Sequence, residues 1–84
     1  MPLPLYGFLD GDTMGLVILA EEQDTVKTLA ERLQSAADLR VAPMSQVEVV
    51  HREHVLESEI TLAEAGFHPL DRFDVREKGS HGIL

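Results

Sequence analysis

The pattern of hydrophobic and polar positions divides the first twenty residues into two strands. Residues 3–9 and residues 14–20 are apolar runs, and Asp10-Gly11-Asp12-Thr13 separates them. An Asp-Gly pair between two apolar runs predicts a β-hairpin. The second run is apolar at almost every position, which predicts either an inner strand covered on both faces or a strand at a subunit contact. Of these two, we expect the inner strand.

The next segment carries the clearest helical pattern in the chain. Asp24 or Thr25 can cap its N-terminus by accepting hydrogen bonds from free backbone N–H groups. We expect the helix to end near Asp38, ahead of Pro43, because proline disfavours helical geometry in the residue before it. The apolar stripe of this helix consists of Val26, Leu29, Ala30, Leu33 and Ala37.

Alternation with a period of two returns in the second half of the chain. Val47, Val49 and His51 share one side of a third strand. Residues 54–56 form a short fourth strand or an extended turn. Phe73 and Val75 share one side of a last strand.

A short helix is predicted ahead of the last strand. Thr61 and Glu64 match a capping box, in which each side chain accepts a hydrogen bond from the other residue's backbone N–H. Gly66 stands where such a helix would end in left-handed geometry. The order of elements is therefore a hairpin, a long helix, one or two strands, one helical turn and a last strand.

This order predicts an α+β fold, with a mixed sheet of four to five strands packed on one main helix. The hairpin keeps its strands antiparallel, whereas the helix permits a parallel crossover. That arrangement is the β-grasp, or ubiquitin-like, fold. We expect a single β-grasp domain over residues 1–78 and a frayed C-terminal tail over residues 79–84.

Composition and charge exclude several classes of function. The chain has 84 residues, no cysteine and a formal net charge of −8. This charge repels nucleic acid and anionic lipid, because both are bound through Lys and Arg. The lack of cysteine fits a reducing compartment, the N-terminus lacks the basic region of a signal peptide, and the longest apolar stretch is too short to cross a bilayer. We therefore expect a cytoplasmic protein with no nucleic-acid or membrane partner.

Four histidines raise the question of a metal site: His51, His54, His68 and His81. In one continuous strand His51 and His54 would point to opposite faces. A bend between them would let the pair converge with Glu53 or Glu57 in a site suited to zinc or iron. The interpretation that we favour is a set of surface histidines that titrate near neutrality.

Other signatures of chemistry are missing from the sequence. Asp10-Gly11-Asp12 resembles the start of a calcium loop, but the further ligands of an EF-hand do not follow. There is no Gly-x-Ser-x-Gly elbow, P-loop or Gly-x-Gly-x-x-Gly motif. We expect no catalytic, cofactor-binding or metal-binding residue in this chain.

An acidic run lies between the third strand and the short helix: Glu53, Glu57, Glu59 and Glu64. It serves either as an interaction face or as a solvated edge that discourages pairing between sheets. The sequence leaves both interpretations open.

A set of motifs in residues 40–76 resembles a known family. The set comprises Arg40-Val41-Ala42-Pro43, a valine-rich strand with His51, the run Ile60-Thr61-Leu62-Ala63-Glu64-Ala65-Gly66, Pro69 and Asp74-Val75. It resembles the small gamma subunit of toluene monooxygenase-type diiron hydroxylases, the toluene-4-monooxygenase system protein B family. The resemblance implies a β-grasp fold and implies that residues 40–43 and 61–66 determine the fold.

The resemblance also implies a function. The chain would be a non-catalytic small subunit or accessory protein of a multicomponent diiron aromatic-ring monooxygenase and would act by docking onto the hydroxylase. The diiron centre is then expected in the large partner subunit, and residues 14–20 and 53–64 are the candidate docking segments.

Two alternatives come from other classes of protein. One is a ubiquitin-like modifier or sulfur carrier, which is disfavoured because the tail reads Gly82-Ile83-Leu84 and lacks adjacent glycines. The other is a free-standing small binding domain, which would need the histidines to converge.

Overall fold

Five strands and two helices make up the part of the chain that the computed structural model describes, residues 2–10, 15–37 and 46–78. In chain order they are β1 (Pro2–Leu9), β2 (Gly15–Glu21), α1 (Val26–Ala36), β3 (Val47–His51), β4 (His54–Leu56), α2 (Leu62–Ala65) and β5 (Arg72–Glu77). The α+β, β-grasp prediction is confirmed. The predicted turn at residues 11–13, the segment at residues 40–43 and the tail at residues 79–84 lie outside the described residues. The proposed limits of the domain stay a prediction.

The five strands form one mixed sheet with the order β2-β1-β5-β3-β4. β1 and β5 are parallel, and the other neighbouring strands are antiparallel. A parallel pair needs a long connection, which the chain from β2 to α2 provides here. The first and last strands therefore lie side by side in the middle of the sheet, and the hairpin β1–β2 forms one end of it.

Helix α1 covers one face of the sheet and supplies much of the core. Its N-cap is Thr25, whose hydroxyl oxygen accepts a hydrogen bond from the Thr28 backbone N–H at 3.2 Å. The predicted apolar stripe is buried in full, and Leu29 and Leu33 pack against side chains of the strands. No helix among the described residues is long and apolar enough to span a membrane. The fully buried large side chains are Leu5, Val26, Leu29, Leu33, Val49, Leu62, Phe73 and Val75.

The N-termini of α1 and α2 are held by each other's preceding loops. The Val26 N–H donates to the Ile60 carbonyl at 2.9 Å, and the Leu62 N–H donates to the Asp24 carbonyl at 2.9 Å. These bonds satisfy backbone donors that a helix leaves unpaired in its first turn. The predicted capping box of Thr61 and the predicted left-handed cap at Gly66 (φ 83°) are both present.

The expectation that residues 14–20 form an inner strand was wrong. β2 is an edge strand of the sheet, since β1 is the only strand among the described residues that pairs with it. Ile18 and Ala20 are buried toward the helix, whereas Val17 and Leu19 are exposed on the opposite face. Strand order, which depends on pairing between distant segments, decided this outcome.

The expectation of surface histidines was wrong for His51. Its side chain is buried, with 4% of the residue exposed, because it follows Val47 and Val49 on the core side of β3. Arg52 and Glu53, both with positive φ, turn the chain so that His54 begins β4 opposite His51. The two histidines thus belong to two strands of a tight hairpin.

Candidate docking surface

An apolar patch lies on the face of the sheet that α1 does not cover. It is formed by Tyr6 of β1 with Val17 and Leu19 of β2, all exposed, and we call it the β1–β2 patch. Val17 is the direct cross-strand partner of Tyr6, so the two side chains are neighbours on one face. Exposed apolar groups that cluster in this way are typical of protein-interaction sites.

Most of the exposed large hydrophobic side chains are near this patch. Among the described residues, the two others are Leu70 and Val55. The Leu70 N–H donates to the Pro4 carbonyl at 2.6 Å, which places Leu70 beside β1. Leu70 also has a φ of 67°, a backbone angle that a bulky residue rarely adopts. Only Val55, on β4, lies at the other end of the sheet.

Beside the patch, three charged residues of β5 form ion pairs within the strand or with a neighbouring strand: Arg72, Asp74 and Arg76. The Arg72 guanidinium forms two hydrogen bonds with the Asp74 carboxylate, at 2.9 and 3.0 Å, and lies 4.1 Å from the centre of the Phe8 ring. These hydrogen bonds with Asp74 raise the pKa of Arg72. Arg76 makes a similar pair with Glu48 of β3. The face therefore has an apolar end and a polar, charge-balanced middle, as interfaces with a polar rim do.

His51 and Asp71 form a polar contact at the margin of the core. The His51 Nε2 atom lies 3.0 Å from the Asp71 Oδ2 atom, and the His51 ring stacks on Phe67 with 4.0 Å between ring centres. The same Asp71 oxygen accepts a hydrogen bond from the His68 backbone N–H at 3.0 Å and lies 3.6 Å from Arg52.

The environment of Asp71 favours its ionised form. Partial burial would raise the pKa of this carboxyl group, but the hydrogen bonds from the His68 N–H and the His51 ring, with the nearby Arg52 charge, outweigh it and lower the pKa. These contacts satisfy both partners, so the cluster holds the turn before β5 in place.

The histidines do not assemble with acidic residues into a metal site in the described part of the chain, where no group of three or more potential ligands occurs. His51 contacts Asp71, His54 is exposed on β4, and His81 lies outside the described residues. The expectation that this chain binds no metal and contains no catalytic residue stays a prediction.

The acidic run divides into two structural roles. Glu64 belongs to the capping box, where the Thr61 backbone N–H lowers its pKa. Glu53, Glu57 and Glu59 are exposed at and beyond the ends of β4. A groove of about 850 Å³, open to solvent, separates β3 and β4 from α1, and its lining mixes acidic residues with Lys27 and Lys78. The placement of the three glutamates favours the solvated-edge interpretation.

The family model for toluene-4-monooxygenase system protein B (TmoB) matches residues 2–76. The chain belongs to this family. The family that the motifs in residues 40–76 indicate is thereby confirmed, and the chain is a small accessory component of a toluene monooxygenase system. Among curated proteins, no sequence matches this chain.

Solved structures share the fold at low sequence identity. A chain of the toluene 4-monooxygenase HD complex with the inhibitor 4-bromobenzoate has a TM-score of 0.86 and 21% identity, covering 93% of this chain and 100% of that chain. Ubiquitin from Caldiarchaeum subterraneum has a TM-score of 0.78 and 14% identity, covering 98% and 100%. The UBL domain of Plasmodium falciparum Dsk2 has a TM-score of 0.75 and 14% identity, covering 90% and 97%. At these identities the likeness shows a shared β-grasp fold alone.

Sequence reasoning found one half of the exposed patch and missed the other. It singled out residues 14–20 for their continuous apolar character, but it did not connect them with Tyr6. Tyr6 alternates with the buried leucines of β1 and lies on the same face as Pro4 and Phe8. The period-two pattern therefore already indicated that Tyr6 is on the face away from the core. Asp71 carried no comparable signal, because its contact with His51 joins residues twenty positions apart.

Proposed function

We propose that this chain is a non-catalytic subunit of a multicomponent diiron aromatic-ring monooxygenase and acts by docking onto the large hydroxylase subunit. The observation that carries the proposal is the family match over residues 2–76. It is supported by the likeness to a chain of the toluene 4-monooxygenase HD complex. The diiron centre belongs, in this proposal, to the large subunit, and the assembly works in the cytoplasm.

The surface chemistry of the chain supports a docking role. The β1–β2 patch offers apolar area, and the ion pairs of β5 beside it leave little unpaired charge to desolvate on binding. The polar groups at the core margin, His51 and Asp71, are used in contacts within the fold. His51 and Asp71 therefore stabilise the fold, and in this proposal the chain contributes a binding surface to the complex.

The proposal is tested by expressing the tagged chain together with the large hydroxylase subunit of the same organism. We expect the two to co-purify in a fixed stoichiometry by native mass spectrometry, with iron in the large subunit. Caldiarchaeum subterraneum ubiquitin, which shares the fold, is the control and should recover no hydroxylase. A chain that stays alone while the hydroxylase assembles and turns over without it would contradict the proposal.

A further inference from the structure

The two edges of the sheet differ in how they are protected. β4 is three residues long and has Glu53 and Glu57 next to its ends, which are usual devices against pairing with another sheet. β2 is seven residues long, and its positions 15–20 contain no charged residue and no proline. With respect to the described residues, the β2 edge is therefore open to an added strand along most of its length.

The hydrogen bonds of β1 show which backbone groups of β2 point outward. The Tyr6 N–H and the Pro4 carbonyl both bond toward β5, with Asp71 and Leu70. Tyr6 and Pro4 therefore turn their backbone groups away from β2. In an antiparallel pair, two residues that lie directly opposite each other either exchange both backbone hydrogen bonds or form none, so neither residue bonds to its cross-strand partner. The partners are Val17 and Leu19, so the N–H and C=O groups of both residues point away from β1.

One end of this edge is already closed by side chains of the chain itself. Arg32 donates to the Leu19 carbonyl at 3.1 Å, and Asp24 accepts from the Glu21 N–H at 2.9 Å. Within the described residues, no hydrogen bond reaches the outward N–H and C=O of Val17 or the N–H of Leu19. The open stretch covers about five residues, or about 17 Å of strand.

The side chains and the backbone of this edge favour the same kind of ligand. Val17 and Leu19 extend the β1–β2 patch to the edge, so an added strand with apolar residues at alternate positions would cover them while its backbone pairs with β2. Charge argues against a second copy of this chain, since each copy carries −8 and the two would repel. A partner protein with a less acidic surface would not be repelled by this chain in the same way.

We propose that the large hydroxylase subunit adds an extended apolar segment to the β2 edge as a sixth strand, with Val17 at the centre of the contact. The inference rests on the proposed function and specifies the docking element. In the complex, the segment accepts hydrogen bonds from the Val17 and Leu19 N–H groups and donates one to the Val17 carbonyl.

The test compares matched variants of the full chain in binding to the purified large hydroxylase subunit. Val17→Lys and Val55→Lys change equally exposed valines, 56% and 54%, on opposite edges. Val17→Pro removes an N–H that the sheet itself does not use, so it blocks strand addition and spares the ladder. We expect both Val17 variants to weaken binding about tenfold or more, and Val55→Lys to change it less than about threefold. Melting of each free variant checks that it folds.

Residue-resolved hydrogen exchange gives a second readout that needs no variant. The Val17 and Leu19 amides should exchange fast in the free chain and about tenfold or more slower in the complex, because an added strand bonds to them. The Ile18 amide, which lies in the ladder with β1, should be slow in both states. This readout keeps the test decisive even where Val17→Pro fails to fold.

Each other outcome identifies what fails. Lack of binding by the wild-type chain removes the proposed function and this inference with it. If the wild-type chain binds and only Val55→Lys, or no variant, weakens binding, then β2 is not the docking edge. The proposed function remains in that case. Loss of binding by Val17→Lys without amide protection shows docking by side chains and overturns strand addition. Dimerisation of the wild-type chain through β2 makes a second copy the occupant and also overturns the inference.

Discussion

His51 and Asp71 join the end of β3 to the turn that precedes β5. Because His51 is almost fully buried, its ring nitrogen depends on Asp71 for a hydrogen-bond partner. Asp71 in turn accepts from the His68 N–H, which holds the turn. A buried polar group that loses its partner costs more than the hydrogen bond contributed, so this contact is important for stability in a domain of 84 residues.

The first prediction concerns the removal of this acceptor. Asp71→Ala should lower the free energy of unfolding by about 1–3 kcal/mol, because it leaves the buried His51 nitrogen unpaired. Asp74→Ala, which removes one partner of the exposed Arg72 pair, is the control and should cost less than about 1 kcal/mol. Urea unfolding measures both. Equal losses in the two variants would show that the His51–Asp71 contact is not structural.

The second prediction concerns pH. The folded-state pKa of Asp71 lies below its ordinary value, so its contribution to stability is present above about pH 4, the unfolded value, and is lost as the pH falls through the folded value. Asp71→Asn lacks this titration. Its free energy of unfolding should therefore fall less steeply below about pH 4 than that of the wild type. If the free energies of unfolding of the wild type and Asp71→Asn fell equally steeply with decreasing pH, Asp71 would not be the source of this pH dependence.

At the scale of elements, the strands are packed so closely on α1 that β1 has room only for glycine at one position. A Cβ atom on Gly7 would lie 2.6 Å from the Phe73 ring and 3.0 Å from Leu33, and both of these side chains are fully buried. A Cβ atom on Gly15 would also lie 2.6 Å from a ring, but that ring is Phe8, on the face away from α1.

The third prediction uses these two glycines as a matched pair. Gly7→Ala should destabilise the domain by about 1–3 kcal/mol, because buried side chains must shift to make room. Gly15→Ala should cost less than about 1 kcal/mol, because Phe8 can move into solvent. Thermal unfolding measures the difference, at about 4–8 °C per kcal/mol for a domain of this size. A larger loss of stability for Gly15→Ala than for Gly7→Ala would contradict this prediction, because it would mean that the face away from α1 is the more tightly packed one.

For the molecule as a whole, one face of the sheet makes the core and the other carries the exposed β1–β2 patch. Leu33 and Leu19 represent the two roles. Leu33 is fully buried between α1 and the sheet, whereas Leu19 is 66% exposed in the β1–β2 patch. A small domain has a thin margin of stability, so a loss in the core affects the whole fold.

The fourth prediction separates stability from docking with these two leucines. Leu33→Ala should lower the free energy of unfolding by about 2–5 kcal/mol, the usual cost of a cavity in a core. Leu19→Ala should change it by less than about 0.5 kcal/mol and should weaken binding to the large hydroxylase subunit. Unfolding and binding are measured on the same two proteins. A Leu19 variant that unfolds more easily but binds normally would contradict the division of the faces.

The sequence by itself determined the elements and the fold class. The stripe of α1, the capping box at Thr61 and Glu64 and the alternation in β5 depend on neighbours within a few positions, so local periodicity was enough. The sequence also indicated the family, because short motifs in residues 40–76 resemble those of its members.

Only the tertiary structure decided which faces of these elements are covered. It made β2 an edge strand with one exposed face, buried His51, and brought Asp71 to His51 from twenty residues away. Each of these depends on which distant strands pair and in what order. An apolar run has the same sequence whether both of its faces are buried or one is exposed, so strand order distinguishes an inner strand from an edge strand.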